Sequence, residues 1–299
     1  MIDTKSTENS RGMNKILNRY VLISASKMID KYEETKDKED MREMKTEFLK
    51  GVYKILVLHL GTPPEEFTFA YKEKDKSKKK DEGSKNKDSE GNKDKTEWVE
   101  EKHTPYSFAE KYVYEDLDKI VTVTYIPSRK MNQPYKLVGT DLVKDEMGNI
   151  IRYNMNLNEI KKMMKKSIKD DLPVAFAANA NFDMHNDTGV MHPEVYNYEK
   201  IYDLDLKRSK TAEGLMGLIF SNHLMTVLGL DEKNEEVIKW KVENSWGEDA
   251  GDNGIYYMYD GWIDKYVEEV YIHRKYLSKK HLKNLKKTPI EVDYYETPY

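Results

Sequence analysis

Between Lys72 and Glu97 the chain reads KEKDKSKKKDEGSKNKDSEGNKDKTE and carries no hydrophobic residue. A segment with nothing apolar to bury cannot offset the entropy of ordering its backbone, so no core can include it. Whatever folds does so on either side. The segment itself, 72–97, reads as a low-complexity disordered insert. Its lysines would suit nucleic acid, but acids are interleaved with them and cancel the local field. The same cancellation runs through the whole chain, where 50 Lys+Arg against 54 Asp+Glu leave a net charge of −4. No global basic field argues for a polyanionic partner.

Before the insert, residues 1–71 read as a helical part. Met13, Ile16, Leu17, Tyr20, Met28 and Tyr32 fall near one face of a helix over 11–32. A second helix fits 41–60, with Met44, Phe48, Val52, Ile55 and Leu56 inward, Gly61 placed to cap it and Pro63-Pro64 forbidding continuation. After the insert, residues 98–287 turn mainly to β. Thr104-Pro105 opens one short helix through Tyr112, and Asn156 or Asn158 caps another with Ile160, Met163, Met164 and Ile168 inward. A short apolar run spans 172–178, and strand signals occupy 120–126, 223–230, 237–246, 255–258 and 268–273. Residues 288–299 remain as a C-terminal arm. Helices early and strands late make an α+β pattern.

The longest apolar runs are far too short to cross a bilayer, and the N-terminus MIDTKSTENSRG lacks the apolar stretch of a secretory signal. The chain has no cysteine, which points towards the cytoplasm and denies it a thiol of its own. The histidines show no metal-site spacing; His185 and His192, in a loop rich in Asn and Asp, come nearest.

Along 237–246, Ile238, Trp240, Val242, Asn244 and Trp246 alternate with Lys239, Lys241, Glu243 and Ser245. The period of two marks a half-buried strand and puts Asn244 on its apolar face. An unpartnered buried carboxamide costs about 1–3 kcal/mol, so Asn244 needs a partner. It can tie down the glycine-rich GEDAGDNG that follows, in which Asn253-Gly254 is a two-residue hairpin signal. The other partner is His223, which begins HLMTVLGL, a run apolar on both faces and expected to be a central buried strand. Two antiparallel strands joined through the polar turn 231–236 would bring His223 and Asn244 to one end of a sheet. An amide oxygen beside an imidazole fixes its tautomer and ring orientation.

SNHLMTVLG followed by KWKVENSWGEDAGDNGIYYMYDGWIDKYVEEV resembles the papain-like cysteine peptidases, and more narrowly the bleomycin hydrolase and aminopeptidase C family. Weaker likenesses lie in RGMNKILN, LGTPPEEFTFAYKEKD, TPYSFAEKYV, IKKMMKKSIKDDLPVAF and HNDTGVM. The resemblance implies a papain-like fold, here partial: helical segments followed by an antiparallel β-rich half. It implies a thiol protease that removes residues from the N-terminus of peptides by a Cys-His-Asn mechanism, with no metal or cofactor. His223 would be the general base, Asn244 its orienting partner and Trp246 a cover over their hydrogen bond. The family also implies a cytoplasmic homohexamer with inward-facing sites, and weak nucleic-acid binding in some members.

The departure from that pattern is the nucleophile. In the family it is a cysteine in a Gln…Cys-Trp segment near the chain's start, and neither that cysteine nor that glutamine is present here. The expectation is therefore a fragment of such an aminopeptidase, inactive alone. The competing expectation is a non-catalytic scaffold or partner subunit that keeps the β half. The arm 288–299 resembles the start of the family's C-terminal arm, which lies in the active-site cleft.

Overall fold

The computed structural model describes residues 10–74, 96–113, 117–138, 151–207, 209–216 and 218–293. They form two compact units, residues 1–114 and 115–299.

In the first unit, helix α1 (Arg11–Thr35) lies against helix α2 (Lys38–Leu60). Asp37 caps α2 by accepting from the Glu39 amide at 2.8 Å, and Gly61, at φ +83°, ends it as expected. The inward faces meet where Tyr20 packs edge-on against Phe48 at 6.4 Å. The cover is thinner than the periodicity suggests: Ile16, expected inward, is 49% exposed. Two helices packed on each other leave part of each apolar stripe uncovered.

Strands β1 (Phe67–Lys74) and β2 (Thr96–His103) form an antiparallel hairpin. Its strands take up both ends of the expected insert, since Lys72 pairs with Trp98 and Glu73 with Glu97. Backbone pairing satisfies the main-chain groups of those residues, and Lys72 Nζ lies over the Trp98 ring at 5.2 Å. Residues 75–95 of the insert lie outside the described residues. Helix α3 (Pro105–Tyr112) starts at a capping box in which Thr104 and Ser107 each bond the other's backbone N–H. It packs Phe108 against Phe69 at 5.0 Å. The two compact units divide at residue 114, after β2 and α3.

The second unit is built on an eleven-stranded sheet among the described residues, in the order β13-β4-β5-β3-β12-β6-β9-β10-β11-β8-β7. Its strands are β3 (Ile120–Thr124), β4 (Gln133–Val138), β5 (Ile151–Asn154), β6 (Val174–Ala178), β7 (Met184–His185) and β8 (Val190–Met191). β9 (His223–Lys233), β10 (Glu236–Glu243), β11 (Ile255–Tyr259), β12 (Val267–His273) and β13 (Ile290–Asp293) complete it. The α+β class stands, but the sheet is mixed rather than antiparallel throughout, because β3 with β5, β4 with β13 and β8 with β11 run parallel.

Helix α4 (Leu157–Lys169) is capped by Asn156, whose side chain accepts from the Asn158 amide at 2.9 Å. It lays buried Ile160, Met163 and Met164 on β9 and β12. Trp240, Trp262, Tyr153, Tyr256 and Phe176 are fully buried in the core. Each such side chain contributes on the order of 1.5–3 kcal/mol by leaving water. The edge strand β13 takes up part of the expected arm, and residues 294–299 lie outside the described residues.

Two expectations about β9 and β10 need correction. β9 is central in the sheet but covered on one face only: Met225 and Val227 are buried, whereas Leu224 is 54% and Leu228 39% exposed. β10 stops at Glu243, so Asn244 and Trp246 lie just beyond the strand. A register shift between Val237 and Lys239 leaves Ile238 unpaired with β9, and it is 40% exposed rather than inward.

Candidate active site

β9 and β10 are adjacent and antiparallel, joined through Asn234 and Glu235 at φ 52° and 67°. Positive φ at both turn residues matches the twist of the strands and makes a tight hairpin. It sets the start of β9 beside the end of β10. His223 and Asn244 thus come together from 21 residues apart, with His223 Nε2 2.7 Å from Asn244 Oδ1.

The segments around both residues are pinned. Before His223, the Asn222 amide donates to Ala178 O at 3.1 Å, and Asn222 Oδ1 accepts from the Ala180 amide at 2.9 Å. The Asn244 amide donates to Gly254 O at 3.0 Å, while Asn244 Oδ1 also accepts from the Ser245 amide at 2.8 Å. An amide oxygen only accepts, so Nε2 of His223 carries the hydrogen and Nδ1 is its basic nitrogen. The Trp246 indole stacks on the imidazole, centroids 4.8 Å apart and planes 30° apart. Trp246 is 43% exposed, so it shields one side of the pair and leaves the other side open. The structure brings His223, Asn244 and Trp246 into one cluster; Asn244 also contacts the glycine-rich turn, so the two readings of its partner are compatible.

Beside His223 a groove runs over the uncovered face of the sheet, lined by Ser221, Leu224, Arg152, Glu269 and Tyr271. Arg152 Nε donates to Glu269 Oε1, and Tyr271 OH donates to Glu269 Oε2 at 3.0 Å. Burial, then the Glu269 charge, pushes the Tyr271 phenol up to about 12, so it stays protonated at neutral pH. These three residues escaped the sequence reading, because nothing in the spacing of 152, 269 and 271 brings them to His223. The alternation of β12 signals which of its side chains share a face, but not what lies across the sheet.

His185 and His192 and the lysines of α4 are engaged away from His223. Among the described residues, no group of three His, Cys, Asp or Glu side chains could hold a metal ion. His185 Nδ1 bonds Thr188 at 3.0 Å, and His192 Nδ1 accepts from the Glu194 amide at 3.2 Å. On α4, Lys161 pairs with Asp260 at 2.7 Å, and Lys165 and Lys169 both pair with Glu232 at 2.6 Å. Those two ammonium groups hold the Glu232 carboxyl below its usual range. The described helices include none long and apolar enough to cross a membrane.

Residues 1–297 match the profile of the Peptidase C1-like family. The chain is 31% identical to aminopeptidase G of Lactobacillus delbrueckii subsp. lactis over 86% of its own length and 54% of that relative. It is 30% identical to aminopeptidase E of Lactobacillus helveticus, over 97% of this chain and 61% of that one. Against bleomycin hydrolase of Rattus norvegicus the identity is 28%, covering 96% and 61%. The crystal structure of pepw from Lactobacillus rhamnosis superposes with a TM-score of 0.83 at 24% identity, over 100% of this chain and 64% of that chain. The chain therefore spans a little over half the length of the curated relatives it matches.

Proposed function

The chain belongs to the Peptidase C1-like family, and from that premise we propose that it supplies the histidine and asparagine of a cysteine aminopeptidase acting on peptides. The carrying observation is the 2.7 Å contact between His223 Nε2 and Asn244 Oδ1, beneath a stacked indole, on the rim of an open groove.

In this reading a thiol outside the 299 residues faces Nδ1 of His223. Nδ1 takes the thiol proton, and the thiolate attacks the carbonyl carbon of the substrate's first peptide bond. The Asn244 oxygen holds the Nε2–H of the resulting imidazolium. Nδ1 then gives its proton to the leaving amine, which leaves a thioester. Water, losing a proton to Nδ1, hydrolyses the thioester and regenerates the thiol. The low-dielectric cover of Trp246 strengthens the Asn244–His223 bond through both steps. The family further suggests a cytoplasmic homohexamer. Nucleic-acid binding draws little support, since Lys161, Lys165 and Lys169 are paired within the unit.

Aminoacyl fluorogenic substrates test the reading. The 299-residue chain alone should give no turnover. The product of the gene with any upstream coding sequence should hydrolyse them. His223→Ala should lower its kcat by on the order of 10⁴-fold, and Asn244→Ala should lower it less. Thiol-independent turnover by the chain alone, lost on His223→Ala, would defeat the proposal. The absence of any cysteine carries a second reading, a non-catalytic partner subunit, which wins if no upstream sequence encodes a thiol segment.

A further inference from the structure

Two polar atoms close to His223 are buried and make no hydrogen bond of normal geometry: Asn244 Nδ2 and the Tyr256 hydroxyl. The sheet sets them beside each other. Tyr256 on β11 faces Val242 on β10, and the Asn244 amide donates to Gly254 O, so Asn244 is the diagonal neighbour of Tyr256 on the same face. Side chains in that relation are within reach of one another. The ring of Tyr256 is fully buried, and Trp246 meets it edge-on at 6.1 Å while stacking on His223. The carboxamide is thus enclosed by the imidazole, the indole and the phenol. Burial pushes the Tyr256 phenol up, and its contact with the Asn244 side chain draws it part of the way back, with the Asp187 charge acting upward.

Asn244 Oδ1 already accepts from His223 Nε2–H and from the Ser245 amide, which uses both of its lone pairs. The Nδ2 hydrogens are left, and a phenol oxygen can accept one. We infer that Tyr256 is a positioning residue whose hydroxyl accepts a hydrogen bond from Asn244 Nδ2–H and, together with the Ser245 N–H on Oδ1, holds the amide oxygen towards His223. A turned amide would set Nδ2–H against the Ser245 N–H and offer His223 a donor, favouring the Nδ1–H tautomer. The phenol therefore acts through Asn244 on which imidazole nitrogen is basic.

This inference deepens the peptidase reading but is tested on the bond itself, so the two can fail separately. The 15N-labelled full chain is compared with Tyr256→Phe by NMR, reading the His223 ring nitrogens above the imidazole's titration and the water exchange of the Asn244 side-chain amide. The wild type should hold the Nε2–H tautomer with a protected carboxamide. Tyr256→Phe keeps the ring, so it should exchange the carboxamide roughly tenfold faster and show an Nδ1–H population. A purely structural role for Tyr256 would lower the unfolding midpoint and move neither signal. Unchanged exchange and tautomer in a folded variant overturn the inference. If the variant does not fold, the wild type decides: a carboxamide exchanging as fast as a free one overturns it, and a protected one supports it.

Discussion

At Gly251 a single added methyl group would meet two obstacles. The backbone is at φ +64°, and a Cβ there would lie 2.6 Å from Ile255 O and 2.9 Å from the Tyr256 ring. Side chains avoid that conformation at a cost of about 1–3 kcal/mol even in open space. Gly251→Ala is therefore expected to destabilise the second unit by at least that amount, read from the midpoint of denaturant unfolding. Gly12→Ala, where a Cβ meets nothing within 4 Å, should leave the midpoint level or raise it. The same turn shows what single residues disclose in sequence. Asn253 and Gly254, at φ 53° and 81°, form the tight turn their types suggest, between Asp252 and Ile255. Asn244 stood out as a carboxamide in an apolar alternation. Tyr256 did not, because in IYYMY any ring reads as core, and Tyr257 beside it turns outward to Asp252 at 2.8 Å.

Among the elements, the β1–β2 hairpin with α3 carries its own pH dependence. Glu101 on β2 accepts from Lys111 Nζ at 2.5 Å, His103 Nε2 at 2.9 Å and Tyr112 OH at 2.8 Å. Those bonds, led by the one from Lys111, lower the carboxyl from 4.5 to about 2. The Tyr112 phenol is pushed up, first by burial and then by Glu101. A carboxyl whose folded pKa is depressed lends stability above its unfolded pKa and loses it as pH falls through the folded one. Amide protection across 96–112 should thus decline between about pH 4.5 and 2, and Glu101→Gln should flatten that decline. Equal pH profiles for the two proteins would remove Glu101 as the cause. The sequence disclosed this region's helix start at Thr104-Pro105, since capping is local. It did not disclose the hairpin, whose strand ends are as polar as the insert they enter. The short strands β4, β5, β7, β8 and β13 went unseen for a different reason: so few residues show no period.

For the molecule as a whole, the large consequence is the uncovered apolar surface of the second unit. Leu215 is 75%, Met216 62%, Leu218 52% and Leu224 54% exposed. Exposed side chains of this kind favour association where they join into a patch of more than a few hundred Å². The chain alone is expected to self-associate and bind a hydrophobic dye, and the pair Leu218→Glu with Leu224→Lys should reduce both. A monodisperse monomer without dye binding would contradict this. The late-β, early-helix layout was legible because the period of apolar residues changes along the chain. The bare face was not, because HLMTVLGL looks alike whether its second face meets protein or water. The β9–β10 hairpin carries one more consequence. Its turn is at Asn234-Glu235 and its open end is at His223 and Asn244. Loop-closure entropy favours zipping a hairpin outward from its turn. The histidine and asparagine are then the last rung to close as the chain folds and the first to part in a local opening, so their contact marks the completion of the ladder beneath it.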